Sequence, residues 1–115
     1  MAIIAFALPI LQGKTEEARS FGADLDAAGL REHYEELNRL ARVGRHYEWV
    51  ESVPSGDLLV VVFEADDPSA VARGFSGGDV YDDWWRRRVQ RIHGFDPGAS
   101  SAIPHLAWSW EADEF

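Results

Sequence analysis

The sequence predicts an α+β domain in the order strand, broken helix, strand, strand, broken helix, strand. Three observations carry this reading. Ala2 to Ile10 and Leu58 to Ala65 are apolar on both alternating faces, as interior strands are. The stretches after them place apolar residues at helical spacing and are broken by glycine. Pro54-Ser55-Gly56-Asp57 has turn chemistry and joins Leu58 to Ala65 to a preceding strand, Arg45 to Val53.

In the first strand Ile4, Phe6 and Leu8 share one face and Ile3, Ala5 and Ala7 the other; Pro9 and Gly13 close it. Thr15 is expected to cap a helix whose positive end suits Glu16 and Glu17. Ala18, Phe21, Leu25 and Ala28 form its apolar stripe. The next set, Leu30, Tyr34, Leu37 and Ala41, is out of phase with it, so a break is predicted at Ala27 to Leu30. The second helical piece is expected to end near Gly44.

Arg45 to Val53 is mixed in polarity and suits an edge strand. Tyr47, Trp49, Glu51 and Val53 lie on one face, and His46, Glu48, Val50 and Ser52 on the other. Leu59, Val61 and Phe63 oppose Leu58, Val60 and Val62 in the third strand. Asp67-Pro68 reads as a short helix start, and Asp79 as the cap of a longer helix with the stripe Tyr81, Trp85, Val89 and Ile92, ended by Gly94. After a loop, Ile103 to Glu111 alternates as a last strand carrying Leu106, Trp108 and Trp110 on one face.

This order is the split βαβ, ferredoxin-like arrangement, with a four-stranded antiparallel sheet and helices on one face, in a single domain over residues 1–115. The first and third strands would sit centrally. Helices cover one sheet face only, so the other is expected to be buried against a second copy about a two-fold axis. The C-terminal segment is a weaker candidate for that cover, because it already supplies a strand.

The totals narrow the function classes. Twenty acidic against 11 basic side chains give a net charge of -9, which opposes nucleic acid and anionic membrane surfaces as partners. With no cysteine there is no disulfide, thiolate nucleophile or zinc–thiolate site. Met1 to Leu11 has neither the basic start nor the cleavage site of a signal peptide, and a cytoplasmic location is expected.

Histidine offers the most acid–base chemistry near neutrality. None of His33, His46, His93 and His105 stands in a helical metal-binding pair, and no metal is predicted. His46 and Glu48 share a strand face, as a base with its orienting carboxylate, as two metal ligands, or as an exposed polar pair. His93, in a last helical turn, suits the helix dipole as well as a site. Tyr34 belongs either to core packing or, in the wall of a cavity left by the broken helix, to proton transfer. Five tryptophans serve packing or an aromatic-lined pocket. Arg86, Arg87, Arg88 and Arg91 read as a solvated helix face with acidic partners, Arg88 being the one able to reach a pocket. There is no nucleophile elbow, phosphate loop or nucleotide fingerprint.

The strand IIAFALPI with GKTEE, the segment WVESVPSGDLLVVVFEADDP, and the pieces YDDWW and IHGFD resemble a small bacterial family within the dimeric α/β-barrel superfamily. That superfamily includes quinone-forming monooxygenases, polyketide cyclases, haem-degrading enzymes and mutarotases. The resemblance implies a homodimer that holds ligands between helices and sheet; the small family itself implies no activity. The expected function is a small-molecule enzyme without an organic cofactor, monooxygenase-like or cyclase/isomerase-like, acting on an apolar aromatic or polyketide-like substrate. Tyr34, His46 and His93 are the acid–base candidates. Trp49, Glu51, Tyr81, Trp84, Trp85 and Arg88 are expected to line the site. The alternatives are a non-catalytic dimeric ligand-binding or accessory protein, and a haem protein with His93 as ligand.

Overall fold

The computed structural model describes residues 2–67, 80–96 and 107–113. Its elements are β1 (Ala2–Pro9), α1 (Thr15–Arg19), α2 (Phe21–Ala27), α3 (Arg31–Leu40), β2 (Val43–Val53), β3 (Gly56–Ala65) and α4 (Val80–His93). The strands form an antiparallel sheet in the order β1-β3-β2. The architecture is therefore α+β, with the doubly apolar β3 in the centre. Residues 107–111, the described part of the expected last strand, are not in the sheet, and Trp108 and Trp110 are exposed. The Asp79 cap and the helix start at Pro68 lie outside the described residues.

Register sorts the side chains onto two faces. Ile4, Phe6 and Leu8 of β1 pair with Phe63, Val61 and Leu59 of β3, which in turn pair with His46, Glu48 and Val50 of β2. This is the helix-covered face. Ile4, Leu59, Val61 and Phe63 are buried in the core there with Ile10, Ala18 and Ile92. The opposite face is assembled from Ile3, Ala5 and Ala7, from Val60 and Val62, and from Tyr47 and Trp49. Ile3 is 65% and Trp49 53% exposed, so this face has no cover within the described chain.

The helical region breaks twice. Gly29 takes a positive φ of 71° between α2 and α3, which frees a residue without a Cβ to reverse the chain where the apolar phase changes. An earlier break falls at Ser20, which the sequence does not predict. There the Ser20 hydroxyl bonds the Glu17 carbonyl and the Asp24 carboxylate, competing with a continuous helical ladder. Thr15 is not the cap of α1 as expected. It is the first helical residue, and its hydroxyl donates to Asp57 at 2.6 Å, tying α1 to the β2–β3 turn; Ser52 donates to the same carboxylate. Nor does α3 run to Gly44. It stops at Leu40, and Gly44 is the extra residue of a bulge near the start of β2.

The last helix ends where expected, with Gly94 at φ 79°. Its buried stripe includes Val89 and Ile92. It also buries Arg88, the member of the arginine face expected to reach inward. Arg88 is 5% exposed and donates to Asp24 at 2.5 Å and to the Glu17 carbonyl at 2.6 Å. Its guanidinium lies over the rings of Phe21 and Trp84. Arg91 pairs with Glu17 and Arg86 with Asp96, so acidic partners are present as the composition suggests. Among the described residues no helix is long and apolar enough to cross a membrane.

Candidate functional site

Short helices cannot tile a sheet without gaps. Because α1, α2 and α3 are separate pieces set at angles, space remains above β2 and β3. A half-open cavity of about 430 Å³ lies there, lined by Ala18, Arg19, Phe21, Gly22, Leu25, Arg31, Tyr34, His46, Glu48, Val50 and Leu59. It falls within the size range of small-molecule sites. A smaller chamber of about 40 Å³ adjoins it, sharing Ala18, Phe21, His46, Glu48 and Leu59, and continues toward Tyr81, Trp85, Arg88 and His93.

The polar groups of the cavity are connected. The Tyr34 hydroxyl is 2.6 Å from His46 Nδ1, and His46 Nε2 is 2.8 Å from Glu48 Oε2. The side chains of His46 and Glu48 are 9% and 19% exposed, so they do not form an exposed polar pair. With the carboxylate ionised, Nε2–H donates to Glu48 and Nδ1 accepts the phenol proton. The imidazole plane is fixed by stacking on Phe63, its partner across the strands, at a centroid distance of 4.2 Å and 21° between planes. Phe21 closes the other side, with ring centroids 5.8 Å from Tyr34 and 5.7 Å from His46.

Burial holds the Tyr34 phenol above its ordinary pKa; a hydrogen bond with Asn38 and the charge of Arg31 oppose this, while Glu48 adds to it. Burial thus favours the neutral phenol, whose hydroxyl stands 2.6 Å from His46 Nδ1. Tyr81, 5.6 Å from Tyr34 between ring centroids, is pushed up further by burial and by the Tyr34 and Glu48 charges. His93 is pushed down, chiefly by burial, partly offset by its 2.7 Å contact to the Pro9 carbonyl. A neutral His93 donating Nδ1–H to Pro9 tethers the end of α4 to the end of β1.

Of the expected site residues, Tyr34 and His46 meet in the cavity, while His93, Tyr81, Trp85 and Arg88 line the inner chamber. Trp84 packs on Phe21 and Tyr81 at 5.9 and 6.0 Å between centroids. Trp49 and Glu51 are not in the site. They point to the open sheet face, because they alternate with His46, Glu48 and Val50 on β2. The arginine expected to meet an anionic ligand, Arg88, is occupied by Asp24 and Glu17. Phe21, Arg19 and Arg31 also line the cavity and are not foreseen from the sequence, whereas Glu48 is foreseen as the carboxylate orienting His46. Glu48 carried a signal, its i, i+2 spacing from His46; the others depend on how the helix breaks are oriented.

Among the described residues no cluster of three or more potential metal ligands occurs. Compared with known proteins, the chain matches no family model, no curated protein and no solved structure.

Proposed function

We propose that the protein is a small-molecule enzyme of the cyclase or isomerase type, which moves a proton on an enolisable carbonyl compound with an apolar, aromatic or polyketide-like body. The observation that carries this reading is the Tyr34–His46–Glu48 chain in the wall of a ligand-sized cavity with both polar and apolar lining. In the forward sense, the Tyr34 proton passes to His46 Nδ1 as the phenolate oxygen takes the proton from the carbon next to the carbonyl. Glu48 stabilises the imidazolium so formed. Return of the proton along the same path places it on a different atom of the product. A phenol backed by an imidazole–carboxylate pair is a general base and then a general acid without a bound cofactor.

The test is deuterium exchange at the enolisable positions of benzylacetone, a neutral aromatic ketone, followed by NMR. Protein is expected to accelerate the exchange, and Tyr34→Phe, which removes only the hydroxyl, to lose the acceleration. Full exchange in Tyr34→Phe with an unchanged fold overturns the assignment.

The ferredoxin-like, homodimeric arrangement belongs to the same proposal. The open face carries an apolar patch of Ile3, Ala5, Ala7, Tyr47, Trp49, Val60 and Val62, flanked by Glu51 and the Arg45–Glu64 pair, and a two-fold axis lets one such patch cover another. The protein is then expected to elute as a dimer in light-scattering chromatography. Trp49→Glu is expected to weaken the dimer on the order of 100-fold, as for a central aromatic anchor. A monomeric wild-type chain at micromolar concentration overturns the dimer.

A further inference from the structure

We infer that the cavity takes an organic acid, with a single carboxylate held at the solvent end by Arg31 and Arg19 and an apolar body reaching inward to Tyr34. This rests on the proposed site and names the chemistry of its ligand.

Exposure orders the polar groups by depth. The side chains of Arg19 and Arg31 are 54% and 44% exposed, those of Glu48 and His46 19% and 9%. All four line the same cavity, so cations stand at its mouth and the proton-transfer chain at its floor. Between them the walls are Phe21, Leu25, Val50 and Leu59, which suit a hydrocarbon body.

Arg31 is oriented rather than consumed. Its Nε and Nη2 donate to the two oxygens of Asp26 at 2.8 and 3.0 Å, which fixes the guanidinium plane. A guanidinium carries five N–H donors, so others remain for a ligand. Gly22 lines the cavity beside it, where a Cβ would stand in van der Waals contact with Nη2 at 3.9 Å. Arg19 has a looser partner, Glu16 at 3.4 Å.

Between anions, the charge balance favours a singly charged one. Each arginine is already paired with a carboxylate, and Glu48 lies deeper in the same cavity. A dianion such as a phosphate monoester would be repelled by Glu48 and by a chain of net charge -9. A carboxylate needs only the bidentate geometry that guanidinium offers.

The experiment compares hydrocinnamate with hydrocinnamyl alcohol, matched in body and differing in charge, by titration calorimetry. Hydrocinnamate is expected to bind about tenfold more tightly, the effect of one added charge-assisted hydrogen bond. Arg31→Gln is expected to remove most of that preference, and Arg31→Lys, which keeps the charge, to retain part of it. NMR signals of the Phe21 and Tyr34 rings are expected to shift. Equal binding of acid and alcohol, a preference that survives Arg31→Gln together with Arg19→Gln, shifts confined to the Trp49 indole, or no binding of either compound at millimolar concentration each overturn the inference. Failure of the proton-transfer reading is read separately, in benzylacetone exchange, because that probe carries no charge.

Discussion

His46→Gln is expected to slow protein-catalysed exchange of benzylacetone by about 10²- to 10⁴-fold, the usual contribution of a positioned acid–base group. The combination with Tyr34→Phe is expected to be no slower than the worse single variant. The reason lies in the geometry. Tyr34 lines the proposed substrate cavity, and burial holds its phenol above its ordinary pKa, so proton release there needs an acceptor in contact. His46 is the acceptor at 2.6 Å, and Glu48 at 2.8 Å holds the imidazolium that results. In the proposed relay the three act as one unit, and the loss of any member is expected to forfeit the same step, so the free-energy costs are not expected to add. Glu48→Gln keeps a hydrogen-bond acceptor for Nε2–H but not the charge, and is expected to fall between wild type and His46→Gln. Additive losses in the Tyr34/His46 pair would mean that the two contribute to separate steps and that the relay is not the catalyst. Far-UV circular dichroism and melting distinguish lost chemistry from lost fold, a necessary check because His46 also stacks on Phe63.

The same residues show what the sequence carries and what it does not. The broken helix was legible because apolar phase is a local property, and a phase jump at Gly29 has one structural solution. The placement of His46 and Glu48 together on one strand face followed from strict alternation, which holds whichever face is covered. Which face that is depends on where the helices dock, and so Trp49 and Glu51 were assigned to the site while they stand on the open side. Tyr34 reaches His46 across the chain from α3 to β2, a contact fixed by the two breaks and not by any spacing. Thr15 illustrates a different limit. It has the right residue type for a cap, but its hydroxyl finds a stronger acceptor in the Asp57 carboxylate, 42 positions away. Arg88 is legible as the arginine of its helix able to reach inward, but that its guanidinium is taken up by Asp24 and packed on Phe21 and Trp84 depends on contacts far apart in the chain.

Asp24→Ala is expected to destabilise the protein by about 2–3 kcal/mol, whereas Arg88→Met at the other end of the same ion pair is expected to cost about 1 kcal/mol or less. The asymmetry follows from exposure. Arg88 is 6% exposed as a side chain and Asp24 39%. Removing Asp24 strands a guanidinium in the protein with the Glu17 carbonyl as its remaining hydrogen-bond acceptor among those described, and an uncompensated buried charge is the costly outcome. The figure lies below the 3–5 kcal/mol of fully buried pairs because water enters where the half-exposed carboxylate stood. Removing Arg88 instead returns Asp24 to water and to Ser20, while methionine of similar length fills the space beside Phe21 and Trp84. Urea unfolding measures both, and the double variant is expected to recover most of the Asp24→Ala loss. Acid has a related effect. The Asp24 carboxyl is held below its ordinary pKa first by the Ser20 hydroxyl and then by Arg88. A carboxyl depressed in the folded state binds fewer protons than in the unfolded chain, so its stabilisation is complete above the unfolded value, about pH 4, and is lost as the pH falls through the folded one. Asp57, depressed by Thr15 and Ser52, loses its share in the same window. Arg88→Met is therefore expected to flatten the acid limb of the stability profile in part, leaving the component that Ser20 supplies. If Arg88→Met is instead the more damaging substitution, the cation stabilises the helix contacts outright and is not merely tolerated by its partner.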